Sequence, residues 1–171
     1  YINIFLPDEH MASSESLYFF PVSKLSDFQI PKEVLENPGT SSVWFYQDLL
    51  SVPFLVNNSY HITNSVSCCR VLKHPDTDSI KYAYIIYLDA SEFSSILQEI
   101  FQDNQITSYI LTDNGKIVAS NNPSLLSASL DEEKLDFLYN KGDSLKKRAH
   151  TNYHTTTLRN GWLQVTEIPD S

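Results

Sequence analysis

Residues 81–120 read KYAYIIYLDASEFSSILQEIFQDNQITSYILTDNGKIVAS, and three successive elements are legible in them. Lys81–Leu88 is a run of aromatic and β-branched residues, the composition of a strand. Ser91–Phe101 predicts a helix, because Phe93, Ile96, Leu97, Ile100 and Phe101 recur at i, i+3, i+4, i+7 and i+8 and lay one apolar stripe toward a neighbouring sheet. Asp89, followed three residues later by Glu92, has the pattern of a capping box, so the helix starts where the strand stops. Ser108–Ser120 predicts a hairpin in which Asn114-Gly115 supplies the two positive-φ residues of a type I′ turn.

The same grammar extends outward. Upstream, Tyr60–Leu72 predicts a long strand, His74–Ser79 its turn, and Lys81–Leu88 the antiparallel return. Tyr1–Leu6 and Leu17–Phe20 predict an opening strand pair. Pro21–Ile30 and Pro31–Glu36 predict short helical turns, each opened by a proline suited to the first helical position. Trp44-Phe45-Tyr46 starts a strand or overhangs a pocket, and Pro53 confines Leu49–Val56 to an edge or loop. Downstream, Asp131–Tyr139 predicts a second helix with its acids at the N-terminal end, where the dipole favours them, and Lys141-Gly142 ends it. Three strands follow near Ser144–Ala149, Tyr153–Leu158 and Trp162–Ile168, the last two joined by Asn160-Gly161, a second type I′ signal. Strand pair, helical stretch and sheet thus occur twice, in 1–88 and again in 89–168, which places a boundary near Asp89.

Composition narrows the function classes. A chain of 171 residues holds one domain or two small ones and buries enough surface to need no covalent staple. A net charge of −9 disfavours a nucleic-acid partner, since such proteins concentrate positive charge to displace counterions. The basic cluster Lys146-Lys147-Arg148 reads as a solvated strand end. No apolar run is long enough for a membrane helix, and the chain opens on Tyr1 inside an apparent strand with no signal peptide, as a segment of something longer would. The adjacent Cys68 and Cys69 point to opposite faces of a strand, which favours two reduced residues, one buried and one exposed, over a vicinal disulfide or a metal site.

No hydrolase, nucleotide-binding or metalloprotease motif is present. His150 and His154 lie on a Thr-rich strand, roughly 13 Å apart on one face and too far for one ion. Asp113 serves its turn, and no two carboxylates are paired for acid–base work. No catalytic residue, metal or cofactor is expected.

The joint YLD–helix–YILTDNGKIVAS resembles the middle of a double Cache domain, the PAS-like extracellular sensor region of bacterial transmembrane histidine kinases and chemoreceptors. Trp44-Phe45-Tyr46 stands about where that family carries its ligand-side aromatics. The opening strand pair resembles the first hairpin of the family's membrane-distal module, and LRNGWLQVTEIP (158–169) its closing strand. The resemblance implies an α+β fold of two tandem PAS-like modules, each an antiparallel sheet flanked by helices, without the N-terminal stalk helix. Residues 1–88 would be the membrane-distal module with the ligand pocket, and 89–171 the membrane-proximal one. It implies attachment to a membrane through flanking helices, and leaves homodimerisation of the full-length receptor open.

It also implies a site. In amino-acid-sensing relatives an Arg precedes a Trp-Tyr pair, a Tyr-x-Asp follows on the next strand, and an Asp ends the last strand. Here Trp44 matches the Trp, Phe45 stands at the Tyr, Tyr60 matches the second Tyr and Asp89 the final Asp. Ser42 stands at the Arg and Ile62 at the first Asp. Without the guanidinium fork a carboxylate loses its bidentate partner, so the ligand implied is a neutral polar molecule or a small cation rather than an α-amino acid. The ligand-binding candidates are therefore Trp44, Phe45, Tyr46, Tyr60 and Asp89, with a helix cap the stronger role for Asp89. Two readings compete with a sensor region: a ligand-less cell-surface domain that binds a partner protein, and, less well supported, a cytoplasmic PAS sensor holding a cofactor.

Overall fold

The computed structural model describes residues 2–7, 17–28, 30–36, 42–50, 62–140 and 144–171. The chain divides into two compact units, Tyr1–Leu88 and Asp89–Ser171.

The first unit is a five-stranded sheet. Its strands are β1 (Ile2–Leu6), β2 (Leu17–Pro21), β3 (Val43–Leu50), β4 (Ile62–Lys73) and β5 (Ile80–Asp89), in the order β2-β1-β5-β4-β3. A 3-10 turn at Val22–Asp27 and the short helix α1 (Lys32–Glu36) follow β2, each preceded by a proline, Pro21 and Pro31. They cover one face of the sheet. Phe5, Phe20, Leu25, Phe28, Val34, Cys69, Val71, Ala83, Ile85 and Tyr87 are buried together there. The strands alternate, so β5 sends Ala83, Ile85 and Tyr87 into this core and turns Tyr84 and Ile86 away.

The second unit repeats the plan. It contains α2 (Ala90–Ile100), β6 (Thr107–Leu111), β7 (Ile117–Ser120), α3 (Glu132–Tyr139), β8 (Leu145–Arg148), β9 (Thr151–Thr157) and β10 (Leu163–Pro169). Its sheet order, β7-β6-β10-β9-β8, is the first unit's order over again. One face buries Tyr109, Leu111, Ile117, Tyr153, Leu163 and Val165 against Leu138 of α3. Both longer helices are capped by aspartate, the first as the sequence indicates. Asp89 accepts from Ser91 N at 2.9 Å and Asp131 from Lys134 N at 2.8 Å. At the other end of α3, Lys146 Nζ donates to the carbonyls of Phe137, Leu138 and Asn140 at 2.9, 2.6 and 2.9 Å, satisfying orphan acceptors where the dipole is negative. Lys147 pairs with Asp170 at 2.8 Å and Arg148 with Glu133. The basic cluster is thus absorbed by local structure.

Four sequence expectations change. β1 and β2 do not form a hairpin: they run parallel, from Ile2↔Leu17 to Leu6↔Pro21. A tight turn joins only antiparallel neighbours, so the hairpin reading fails on strand direction. The two Asn-Gly turns are not type I′ either. Gly115 and Gly161 sit at φ +88° and +85°, but neither asparagine is among the positive-φ residues. Each turn is a three-residue loop. Gly115 N donates to Thr112 O and Thr112 N to Lys116 O; Gly161 N and Leu158 N repeat the pattern onto Leu158 O and Trp162 O. The asparagines act as acceptors instead, Asn160 Oδ1 for Trp162 N and Asn114 Oδ1 for the Thr112 hydroxyl.

The stripe on α2 also faces differently. Ala90, Ser94 and Leu97 are buried, whereas Ile96 and Ile100 are 52% and 64% exposed. Small residues let the helix lie so close to β7 that Ser120 N donates to Ser94 Oγ at 3.1 Å; bulk at those positions would hold it off. Finally, Cys68 and Cys69 are both free, but both are buried, so neither is the exposed thiol expected. Lys141-Gly142, the expected end of α3, lies outside the described residues.

Candidate ligand-binding surface

The edge strand β3 decides where the aromatic run points. Its ladder with β4 pairs Val43 with Cys69, Trp44 with Cys68, Phe45 with Ser67 and Tyr46 with Val66. Paired residues share a face, and Cys69 belongs to the core, so Val43 and Phe45 turn inward and pack against that cluster. Trp44 and Tyr46, with Cys68, occupy the opposite face. There Trp44 is 36% exposed, and Tyr46 donates its hydroxyl proton to Asn64 Oδ1 at 2.8 Å. Ser42, just before β3, meets the Tyr84 hydroxyl of β5 at 2.7 Å. Burial pushes the Cys68 thiol up, opposed by a hydrogen bond with Ser42. The result is an indole ring beside the hydroxyls of Ser42, Tyr84 and Tyr46 and a thiol that burial keeps protonated. Such a set can stack on a ring or a cation and exchange hydrogen bonds with a neutral polar group.

Comparison with solved structures then identifies the architecture. The extracellular domain of the histidine kinase rpHK1S-Z16 superposes at a TM-score of 0.57 and 12% identity, over 99% of this chain and 70% of that one. The periplasmic sensory domain of the Campylobacter jejuni chemoreceptor Tlp1 gives 0.58 at 9% identity, over 86% and 56%. The ligand-binding domain of the Pseudomonas aeruginosa amino-acid chemoreceptor PctC, solved with GABA, gives 0.50 at 12%, over 80% and 57%. The chain has the tandem Cache-type fold. It spans little more than half the length of the two chemoreceptor domains. These neighbours are sensor domains rather than catalytic ones. No family model matches the sequence, and no curated protein matches it.

Within the Cache fold the five candidate residues take different positions. Trp44 and Tyr46 share a face, Phe45 is turned to the core, Asp89 caps α2 through Ser91, and Tyr60 lies outside the described residues. Three residues on the Trp44 side escaped sequence reasoning. Tyr84 and Cys68 reach Ser42 only once β3, β4 and β5 are laid side by side, and no spacing in the chain announces it. Arg70, two positions along β4 from Cys68, alternates onto the same face. Among the described residues no three His, Cys, Asp or Glu side chains gather to hold a metal ion, and no helix is long and apolar enough to cross a membrane.

Proposed function

We propose that this chain is the extracellular ligand-sensing region of a bacterial transmembrane signalling receptor, a two-component sensor histidine kinase. Residues 1–88 would be the membrane-distal module and 89–171 the membrane-proximal one. The observation that carries this is the repeated sheet order in two tandem units, an arrangement shared with a histidine kinase ectodomain along nearly the whole chain. The ligand is a small neutral or cationic molecule held in the first unit, with Trp44 and Tyr46 as its aromatic contacts and Ser42 and Tyr84 as its hydroxyl partners. Ser42 stands in place of a guanidinium, so a carboxylate finds no bidentate fork there. Binding biases an equilibrium between two conformations of the ectodomain, and that bias passes to the membrane segments.

Thermal-shift screening of the purified chain tests this. A ligand at a hundredfold excess over its Kd adds about 2.7 kcal/mol, a plain rise in Tm. Polyols, sugars and amines should raise Tm, and Trp44→Ala, at a third-exposed position, should abolish the rise that amines cause. Hits confined to α-amino acids and removed by Arg70→Ala would overturn the ligand class and make Arg70 the carboxylate anchor. Absence of any hit would favour a ligand-less domain that docks a partner protein at the cell surface.

A further inference from the structure

The second unit carries a cleft that the proposed sensing surface does not use. It lies where the end of α2, the connection 101–106, the start of β6 and the end of β7 meet, with a volume of about 550 Å³, within the range of roughly 300–1,000 Å³ typical of small-molecule sites. Its lining is chemically biased. Five residues with carboxamide side chains line it, Gln98, Gln102, Asn104, Asn121 and Asn122, and Phe101 forms part of its wall. No ionisable side chain lines it, although Glu99 and Asp103 stand next to lining residues in the sequence.

Asn121 makes the cleft rigid. Its Oδ1 accepts from Ser108 N at 2.8 Å, and its Nδ2 donates to Ile106 O at 2.8 Å and to Phe101 O at 3.3 Å. One side chain thereby ties both ends of the 101–106 connection to the sheet. Inside that connection Ile106 N donates to Asp103 O, and Gln105 N to Asp103 Oδ1. A wall already ordered in this way spares a ligand the entropic cost of ordering it. The amides of Gln98 and Asn104, by contrast, have no hydrogen-bond partner among the described residues, and each offers two donors and an acceptor.

We propose that this cleft binds a neutral polyhydroxylated molecule, a saccharide or polyol. Carboxamides can donate to and accept from the same hydroxyl array, which suits a ligand whose every polar group is both donor and acceptor. The Phe101 ring supplies an apolar face for the C–H side of a sugar ring. A lining without charge gives an ionic ligand nothing to offset its lost hydration. The site is separate from the Trp44 surface and stands or falls independently of it.

The test is an NMR titration of the isotope-labelled 171-residue chain with glucose and N-acetylglucosamine, alongside their charged counterparts glucuronate and glucosamine. The neutral sugars should give saturable shifts in the side-chain amide signals of Gln98, Gln102 and Asn104. The charged analogues should bind at least tenfold more weakly. The double variant Gln98→Ala/Asn104→Ala alters only exposed side chains; it should weaken binding at least tenfold with an unchanged Tm, while Trp44→Ala leaves the affinity as it was. The proposal is overturned if no sugar saturates these signals at tens of millimolar, if the double variant binds as tightly as the parent, if charged analogues bind equally well, or if Trp44→Ala abolishes the shifts.

Discussion

Phe5→Ala is expected to destabilise the first unit by about 3–5 kcal/mol. Phe5 is fully buried on β1, between β2 and β5. Its ring lies 5.7 Å from Phe20 and 5.0 Å from Phe28, and those two rings are 5.3 Å apart. Three rings from three elements therefore close on one point, with edge-on geometry in two of the pairs, worth about 0.5–1.5 kcal/mol per pair beyond area burial. Truncation removes the central ring and leaves a void that the backbone of a paired strand cannot collapse to fill. Since folded domains hold only about 5–15 kcal/mol in total, the loss should show as a large fall in the urea midpoint and in hydrogen-exchange protection of the β1 and β5 amides. Ile100→Ala is the matched control, because that side chain is mostly exposed and should change stability by no more than about 0.5 kcal/mol. Equal, small effects from both substitutions would mean that the aromatic cluster does not hold this unit together.

How far the sequence discloses this molecule depends on the range of the interactions involved. Elements set by neighbours in the chain were legible: the aspartate cap at Asp89, the acids at the start of α3, the prolines ahead of the helical turns at 22–27 and 32–36, and the strand pair around Asn114-Gly115. The parallel pairing of β1 with β2 was not, because strand direction depends on how a ten-residue connection returns, and tight-turn chemistry is silent about that. The orientation of α2 was misread for a different reason. Apolar periodicity assigns the buried face to the largest residues, whereas here Ala90 and Ser94 win it by permitting close approach to β7.

The candidate surface shows the same division. That Phe45 and Trp44 must face opposite ways follows from strand alternation once β3 is known to be a strand, so the run Trp44-Phe45-Tyr46 could never have formed one wall. The Ser42, Tyr84 and Cys68 cluster is a product of sheet order and had no local signature. The amide-lined cleft likewise collects residues from the end of α2, the loop after it and the end of β7.

Alkaline pH should unfold this protein in a way traceable to Cys69. Burial, and secondarily the neighbouring Cys68, push the Cys69 thiol from 9.0 up to about 12, and the side chain has no solvent exposure. Tyr87 and Tyr109 are also pushed up. Burial is the larger cause for both, and Glu167, which accepts the Tyr109 hydroxyl proton at 2.7 Å, adds to it for Tyr109. In each case the folded chain holds a proton that the unfolded chain releases at its ordinary pKa. The stabilisation is therefore complete below the unfolded value and is lost as pH rises toward the folded one, by up to about 1.4 kcal/mol per pH unit for each group. Under reducing conditions, urea midpoints should be level up to about pH 9 and then fall, first through Cys69 with a contribution from Cys68 and, above about pH 10, through the two tyrosines as well. Cys69→Ala should lower stability at neutral pH by leaving a small void, yet make the decline between about pH 9 and about pH 10 shallower, since Cys68 is then the one buried thiol that still contributes there. A stability that stays level to about pH 11, or a slope that Cys69→Ala does not reduce, would mean that water or a cation reaches the thiolate inside the first sheet, and that the core around Val71 and Ile85 is not closed over it.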